Sequence, residues 1–271
     1  MGFYTQNGGF IGTSYTTDSR GVFDIISHQL DIPESYYPTY ITDNLVLDLD
    51  AGSTSSYDPT VSTTTWNSVH QTGTSSATLS GSPTHVSSSP GHFDFDGTND
   101  YAYGPSFTAD NRAYSLELWF RTSSAEGELL ISCHNDFSGT PSNYDRQIWV
   151  GTDGELWFGQ WEGTRREIND VTTINDGYWH HVVAVWDGTD MYLYRDNQSA
   201  GSNTSASGST DNGTRYWNIG GRRNSSWSNA SSSYPHYINA DIAIVRVYWG
   251  KGLSSSEVST NYNAFKSRFG Y

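Results

Sequence analysis

Two Asp-Gly pairs, each set between short β-type runs, constrain this 271-residue chain more than any other feature. Gln147-Ile148-Trp149-Val150 and Glu155-Leu156-Trp157-Phe158 flank Asp153-Gly154, and the runs 182–186 and 191–194 flank Asp187-Gly188. Asp-Gly supplies the positive φ of a tight hairpin turn, so each unit reads as two antiparallel strands. Val182-Val183-Ala184-Val185-Trp186 is apolar at every position, as a central strand buried on both faces should be. Leu45-Val46-Leu47-Asp48-Leu49-Asp50 alternates instead: Leu45, Leu47 and Leu49 are expected inward, with Asp48 and Asp50 on the opposite face of a half-buried strand. Tyr216-Trp217-Asn218-Ile219 is a further strand between Ser/Asn/Gly-rich stretches. Residues 51–91 are rich in Ser, Thr, Gly and Pro with short apolar islands, which predicts long loops and weak edge strands. The pattern is all-β.

One helix is expected, at the end. Ser254 and Glu257 have the spacing of a capping box, and Leu253 with Val258 that of a hydrophobic staple. Val258, Tyr262, Phe265 and Phe269 then recur on one helical face. At the other end, residues 1–42 carry apolar anchors (Phe10, Ile11, Val22, Phe23, Ile25, Ile26) but too few for a core of their own. The expected organisation is a docking arm over 1–42 and a folded domain over 43–271. Glycines 8, 9 and 12 would let the arm turn or lie close against a partner.

A net charge of −15, with Lys251 and Lys266 the only lysines, argues against nucleic acid or anionic membrane as partner, because both demand clustered cations. The Arg165-Arg166 and Arg222-Arg223 pairs are too small to reverse that. No apolar run approaches membrane-spanning length, and the first residues show neither the basic nor the apolar segment of a secretion signal. The lone Cys133 excludes an intrachain disulfide and, lying in Leu129-Leu130-Ile131-Ser132-Cys133, reads as a buried structural thiol.

Four stretches, taken in order, resemble the laminin G-like branch of the concanavalin A-like lectin/glucanase superfamily. They are Phe95-Asp96-Gly97-Thr98-Asn99-Asp100-Tyr101, then Ser115-Leu116-Glu117-Leu118-Trp119-Phe120, then Trp179-His180-His181-Val182 through Trp186-Asp187-Gly188, and finally residues 242–248 ahead of Leu253-Ser254-Ser255-Ser256-Glu257-Val258. The resemblance implies a jelly-roll β-sandwich over residues 45–269, with the short C-terminal helix closing it and the N-terminal arm extended. It also implies a choice among glycan-binding, calcium-binding and adhesive roles. Separately, Gly8-Gly9-Phe10-Ile11-Gly12 followed by Gly21-Val22-Phe23 resembles N-terminal segments of structural proteins from tailed phages, particularly marine ones.

Glucanases of that superfamily carry a Glu-x-Asp-x-Glu strand whose carboxylates cooperate in retaining hydrolysis. This chain has no such spacing; the corresponding strand offers Glu117 alone, with Trp119 on its face. Catalysis is therefore not expected. His180 and His181 are adjacent on a strand and point to opposite faces, so they cannot chelate one ion and read as structural. Asp50, Asp96, Asp100 and Asp241 match regions that hold structural calcium in some relatives and are the candidate metal ligands, although Asp-Gly-Thr-Asn-Asp is also an ordinary turn. Trp161, Trp227, Tyr234 and Tyr237 stand in polar, loop-like contexts and are the candidates for stacking on sugar rings; plugging loops or lining an interface is the alternative.

The expected function is thus a non-enzymatic virion structural protein of a tailed phage. Its arm would dock on other virion proteins, and its sandwich would face outward as a decoration or fibre domain, homo-oligomeric on the particle and able to bind a host surface glycan. A free carbohydrate-binding adhesin and a glycoside hydrolase or depolymerase are the alternatives.

Overall fold

Parity along Tyr114–Arg121 shows how the layers form. Leu116, Leu118 and Phe120 join the main core, whereas Glu117 and Trp119 point the other way and are just as fully buried. A strand buried on both faces needs cover on each side, here a second sheet and a helix.

The structure is a computed structural model and describes residues 39–70, 75–137, 141–222, 225–233 and 235–271. Every described residue belongs to one compact unit, Thr39–Tyr271. The first nine strands are β1 (Leu45–Asp50), β2 (Thr65–Asn67), β3 (Ser76–Ser80), β4 (Thr84–Val86), β5 (His92–Asp96), β6 (Tyr101–Ala109), β7 (Tyr114–Arg121), β8 (Glu128–His134) and β9 (Tyr144–Val150). The rest are β10 (Glu155–Trp161), β11 (Arg165–Thr173), β12 (His180–Trp186), β13 (Met191–Arg195), β14 (Gln198–Asn203), β15 (Gly213–Ile219), β16 (Gly221–Arg222), β17 (His236–Tyr237) and β18 (Asn239–Trp249). Helix α1 (Ser255–Phe265) and a tighter turn over Lys266–Phe269 follow.

Two eight-stranded antiparallel sheets make the sandwich. The first runs β14-β13-β12-β7-β18-β5-β4, with β1 also on β18; the second runs β11-β10-β9-β8-β15-β6-β3-β2. Strands β16 and β17 form a separate ribbon. Both Asp-Gly hairpins form as expected, β9–β10 around Gly154 (φ 78°) and β12–β13 around Gly188 (φ 102°). Central strand β12 sends Val182, Ala184 and Trp186 into the main core and Val183 and Val185 to the opposite side. The described residues between 51 and 91 supply only the short strands β2, β3 and β4, as their composition predicts. Cys133 is fully buried in β8, where burial pushes its thiol up to about 12. No helix among the described residues is long and apolar enough to cross a membrane.

Helix α1 covers the outer face of the first sheet. Ser254 and Glu257 form the capping box, and Leu253 and Val258 share one buried cluster. Trp119 stacks on Phe269 at 4.0 Å and on Tyr262 at 5.7 Å, joined by Phe265. Beneath the helix lies a buried ionic network. Arg246 Nε donates to Asp48 at 2.8 Å and its Nη1 to Glu117 at 3.0 Å. Glu117 also takes hydrogen bonds from Asn261 Nδ2 at 2.6 Å and Tyr248 at 3.3 Å, with His181 Nε2 at 3.1 Å. Burial alone would raise the Glu117 carboxyl, but the Arg246 charge and the His181 and Asn261 hydrogen bonds prevail and hold it at about 2.

This cover changes two expectations about β1. The face carrying Asp48 and Asp50 is not solvated: Asp48 pairs with Arg246, and Asp50 receives both terminal nitrogens of Arg268 at 2.7 Å. A bulge between Leu45 and Leu47 breaks the alternation, so Leu45 joins Leu253 and Val258 under the helix while Leu47 and Leu49 stay in the main core. Tyr40 and Ile41, which the sequence reading gave to the arm, belong to the sandwich. The Tyr40 hydroxyl donates to Asp48 at 2.7 Å, and Arg246 sits 4.3 Å from its ring centre. The Ile41 amide donates to Asn261 at 2.9 Å, and its carbonyl accepts from Tyr248 at 2.9 Å.

Candidate functional site

The outer face of the second sheet is shaped by one absent side chain. On β10, Trp157, Gly159 and Trp161 share that face while Leu156 and Phe158 enter the core. A Cβ at Gly159 would lie 2.5 Å from Trp227, so only glycine admits that indole. Trp227 fills the space and also packs on Trp149, ring centres 5.8 Å apart, leaving Trp227 only 5% exposed. Its loop is fixed at both sides: Trp149 Nε1 donates to the Ser228 carbonyl at 3.0 Å, and Ser228 donates through N and Oγ to Glu167 at 2.9 and 2.8 Å.

Beside Trp227 opens a cavity of about 320 Å³ whose wall includes Asn143, Tyr144, Trp161, Arg165, Asp211 and Ser226. The register Trp161↔Arg165 places the indole and the guanidinium across the β10–β11 hairpin. Trp161 is 41% exposed, yet its backbone is pinned: its amide donates to Asp145 at 2.5 Å and its carbonyl accepts from Thr210 at 2.9 Å. Next to it, Glu162 accepts from Ser207 and Gly208 amides at 2.9 Å, which ties down the facing loop. Burial acts to raise the Glu162 carboxyl, and these hydrogen bonds outweigh it and lower it. The Tyr144 hydroxyl meets Ser226 Oγ at 2.5 Å, and Arg165 Nη1 donates to the Ser226 carbonyl at 2.5 Å.

Under the cavity lies a second buried ionic cluster. Arg146 is fully buried in a left-handed conformation (φ 47°), donating to Asp145 at 2.8 Å, the Asp211 carbonyl at 3.0 Å and the Asp110 carbonyl at 2.8 Å. Such a conformation is costly for a long side chain and persists where several hydrogen bonds fix it. Asp211 is held by two nitrogens of Arg215 and by Asn143 Nδ2 at 3.0 Å. The wall therefore combines an exposed indole, a hydroxyl pair and an exposed guanidinium, with its one carboxylate already engaged. An indole face with converging polar groups suits the apolar face and hydroxyls of a sugar ring.

A laminin G family profile, described as the concanavalin A-like lectin/glucanases superfamily, matches residues 96–259. The chain belongs to that superfamily. No curated protein sequence matches it. Among solved structures, this lectin-like sandwich is similar to the binding domain of Botulinum neurotoxin DC in complex with SialylT (TM-score 0.57, 13% identity, covering 82% of this chain and 52% of that one). It is also similar to the binding domain of Paraclostridial Mosquitocidal Protein 1 (TM-score 0.56, 14% identity, 82% and 52%). A third likeness is to Trypanosoma rangeli sialidase in complex with sialic acid (TM-score 0.59, 17% identity, 86% and 35%). The chain thus spans about half the length of the toxin domains, and the likeness is one of fold.

Of the aromatic candidates, this laminin G-like domain brings Trp161 and Trp227 into one cavity. Trp227 is buried rather than exposed, because Gly159 makes room for it. Tyr237 lies elsewhere, on β17 with its ring 6.1 Å from Tyr101, and Tyr234 falls outside the described residues. The arm anchors Phe10, Ile11, Val22, Phe23, Ile25 and Ile26 also lie outside them. Among the four aspartates, Asp50 is paired with Arg268 and Asp241 with Arg121, Asp96 accepts from the Thr98 amide, and Asp100 accepts from the Asp96 amide. Among the described residues no three His, Cys, Asp or Glu side chains gather to hold a metal ion. The two histidines part as expected: His181 meets Glu117, while His180 lies between Asp176 at 3.1 Å and Asp196 at 2.8 Å. Sequence reasoning missed Asn143, Tyr144, Arg165 and Ser226. The adjacent Arg165-Arg166 was the one visible signal, since Arg166 turns to Glu162 and Arg165 to the cavity.

Proposed function

We propose that this protein is a non-enzymatic carbohydrate-binding domain serving adhesion on the surface of a tailed-phage particle, as a decoration or fibre element. The convergence of Trp161, Trp227, Tyr144 and Arg165 on one cavity carries the binding reading. The non-catalytic reading is supported by the carboxylates. Asp211 in the wall is engaged by Arg215, and Glu117 is sealed under α1, so neither offers the paired acid and nucleophile that glycoside hydrolysis uses. The particle location rests on the resemblance of the N-terminal segment to phage structural proteins.

Calorimetric titration with an oligosaccharide panel tests the binding reading. Trp161→Ala should weaken binding about tenfold while leaving the thermal melt unchanged, since removing an exposed stacking face costs contact rather than core. Equal affinity in the variant, or no sugar bound by the wild type, would reject it. Reducing ends released from polysaccharide, and lost on mutating one Asp or Glu, would instead make the protein a depolymerase. Mass spectrometry of purified particles checks the location; absence of the chain would favour a free lectin module.

A further inference from the structure

Ion pairing leaves one arginine over among the described side chains, and it lies in the cavity. With 29 Asp and Glu against 14 Lys and Arg, carboxylate is in surplus. Every other arginine whose side chain is described is ion-paired with an Asp or Glu, from Arg112 on Asp110 to Arg268 on Asp50. Arg165 has no carboxylate partner among the described residues. Its one hydrogen bond, from Nη1 to the Ser226 carbonyl, steadies the guanidinium and leaves Nε and Nη2 uncommitted. The only carboxylate in the wall, Asp211, is taken by Arg215 and Asn143. A ligand entering the cavity therefore meets an available positive charge and no available negative one, beside an exposed indole.

Resting on the carbohydrate-binding reading above, we propose that the ligand is an anionic sugar residue whose carboxylate or sulfate pairs with Arg165 while its ring stacks on Trp161. The guanidinium fork matches two oxygens of either group, and such charge-assisted pairs are stronger than neutral hydrogen bonds. The indole walls exclude water on one side and strengthen the pair further. The arrangement also explains selectivity in an acidic protein. The net charge of −15 repels anions at long range, but that repulsion is screened beyond about 8 Å in physiological salt, whereas contact with Arg165 is not.

Matched pairs titrated into the full chain test this: methyl β-glucuronide against methyl β-glucoside, sialyllactose against lactose, and sulfated against plain lactose. The anionic member should bind about tenfold tighter in at least one pair, and which pair does so separates carboxylate from sulfate. Arg165→Gln should bring that ratio to about one, with Arg165→Lys retaining part of the preference. Equal binding of neutral and anionic members by the wild type, or a preference that survives Arg165→Gln, overturns the assignment while leaving carbohydrate binding in place. Failure of every sugar to bind the wild type overturns both.

Discussion

Replacing Glu117 with Gln removes one charge from the network under α1 with almost no change of shape. All neighbours of the carboxylate present hydrogen: Arg246 and His181 at Oε1, Asn261 and Tyr248 at Oε2. Whichever way a glutamine amide is turned, its NH₂ faces donors, and a buried group left so costs about 1–3 kcal/mol, more when an ion loses its partner. Independently, holding the carboxyl at about 2 instead of its ordinary 4.5 is worth about 3 kcal/mol, at about 1.4 kcal/mol per pH unit. Because the folded-state value is depressed, that contribution is complete above about pH 4.5 and is lost as pH falls toward 2. Protonated Glu and Gln are near isosteres, so the two figures should agree. Urea unfolding of wild type and Glu117→Gln at several pH values gives the measurement. The variant should be about 3 kcal/mol less stable at pH 7, and the gap should close between about pH 4.5 and 2. A gap that is absent at pH 7, or that stays constant into acid, would refute the assignment of an ionised Glu117.

Shortening the chain to start at residue 43 rather than 39 should lower stability by about 3 kcal/mol in urea, because Tyr40 and Ile41 cover Arg246 and Asn261; equal midpoints would show that they merely lie on the surface. Gly159→Ala should expel Trp227, red-shift tryptophan fluorescence and weaken sugar binding at least about tenfold; unchanged emission would mean the loop accommodates the methyl group. Calcium at millimolar concentration should leave the melt unmoved, since Asp50 and Asp241 already serve arginines; a rise reversed by chelator would restore the four-aspartate site.

The fold was legible where the signals are local. Asp153-Gly154 and Asp187-Gly188 fix their hairpins through the backbone, and Ser254 with Glu257 fixes the helix start through bonds three residues apart. What the sequence hid is long-range. Arg246 finds Asp48 across 198 residues, and Arg268 finds Asp50 across 218, so periodicity could only call that face of β1 polar. The bulge that diverts Leu45 also leaves no trace in the alternation of Leu and Asp. The cavity was half visible. Trp161 and Trp227 stood out as aromatics in polar surroundings, but Arg165 acquires its meaning only when register sets it across from Trp161 and every other described guanidinium proves to be occupied.

The placement of the helix and of Tyr40 has a mechanical consequence. Both ends of the folded body lie on the outer face of the first sheet: Tyr40 packs against Phe265, and the Tyr271 hydroxyl donates to the Trp179 carbonyl. The cavity opens on the outer face of the second. A support that grips the domain by either terminus therefore holds it from behind and turns the indole and guanidinium outward. Under the proposed function, a ligand pulling against a support attached ahead of Tyr40 loads the clasp that Tyr40 and Ile41 make with Arg246 and Asn261. The hold of the proposed adhesin under flow would then depend on that clasp as well as on its ligand contacts.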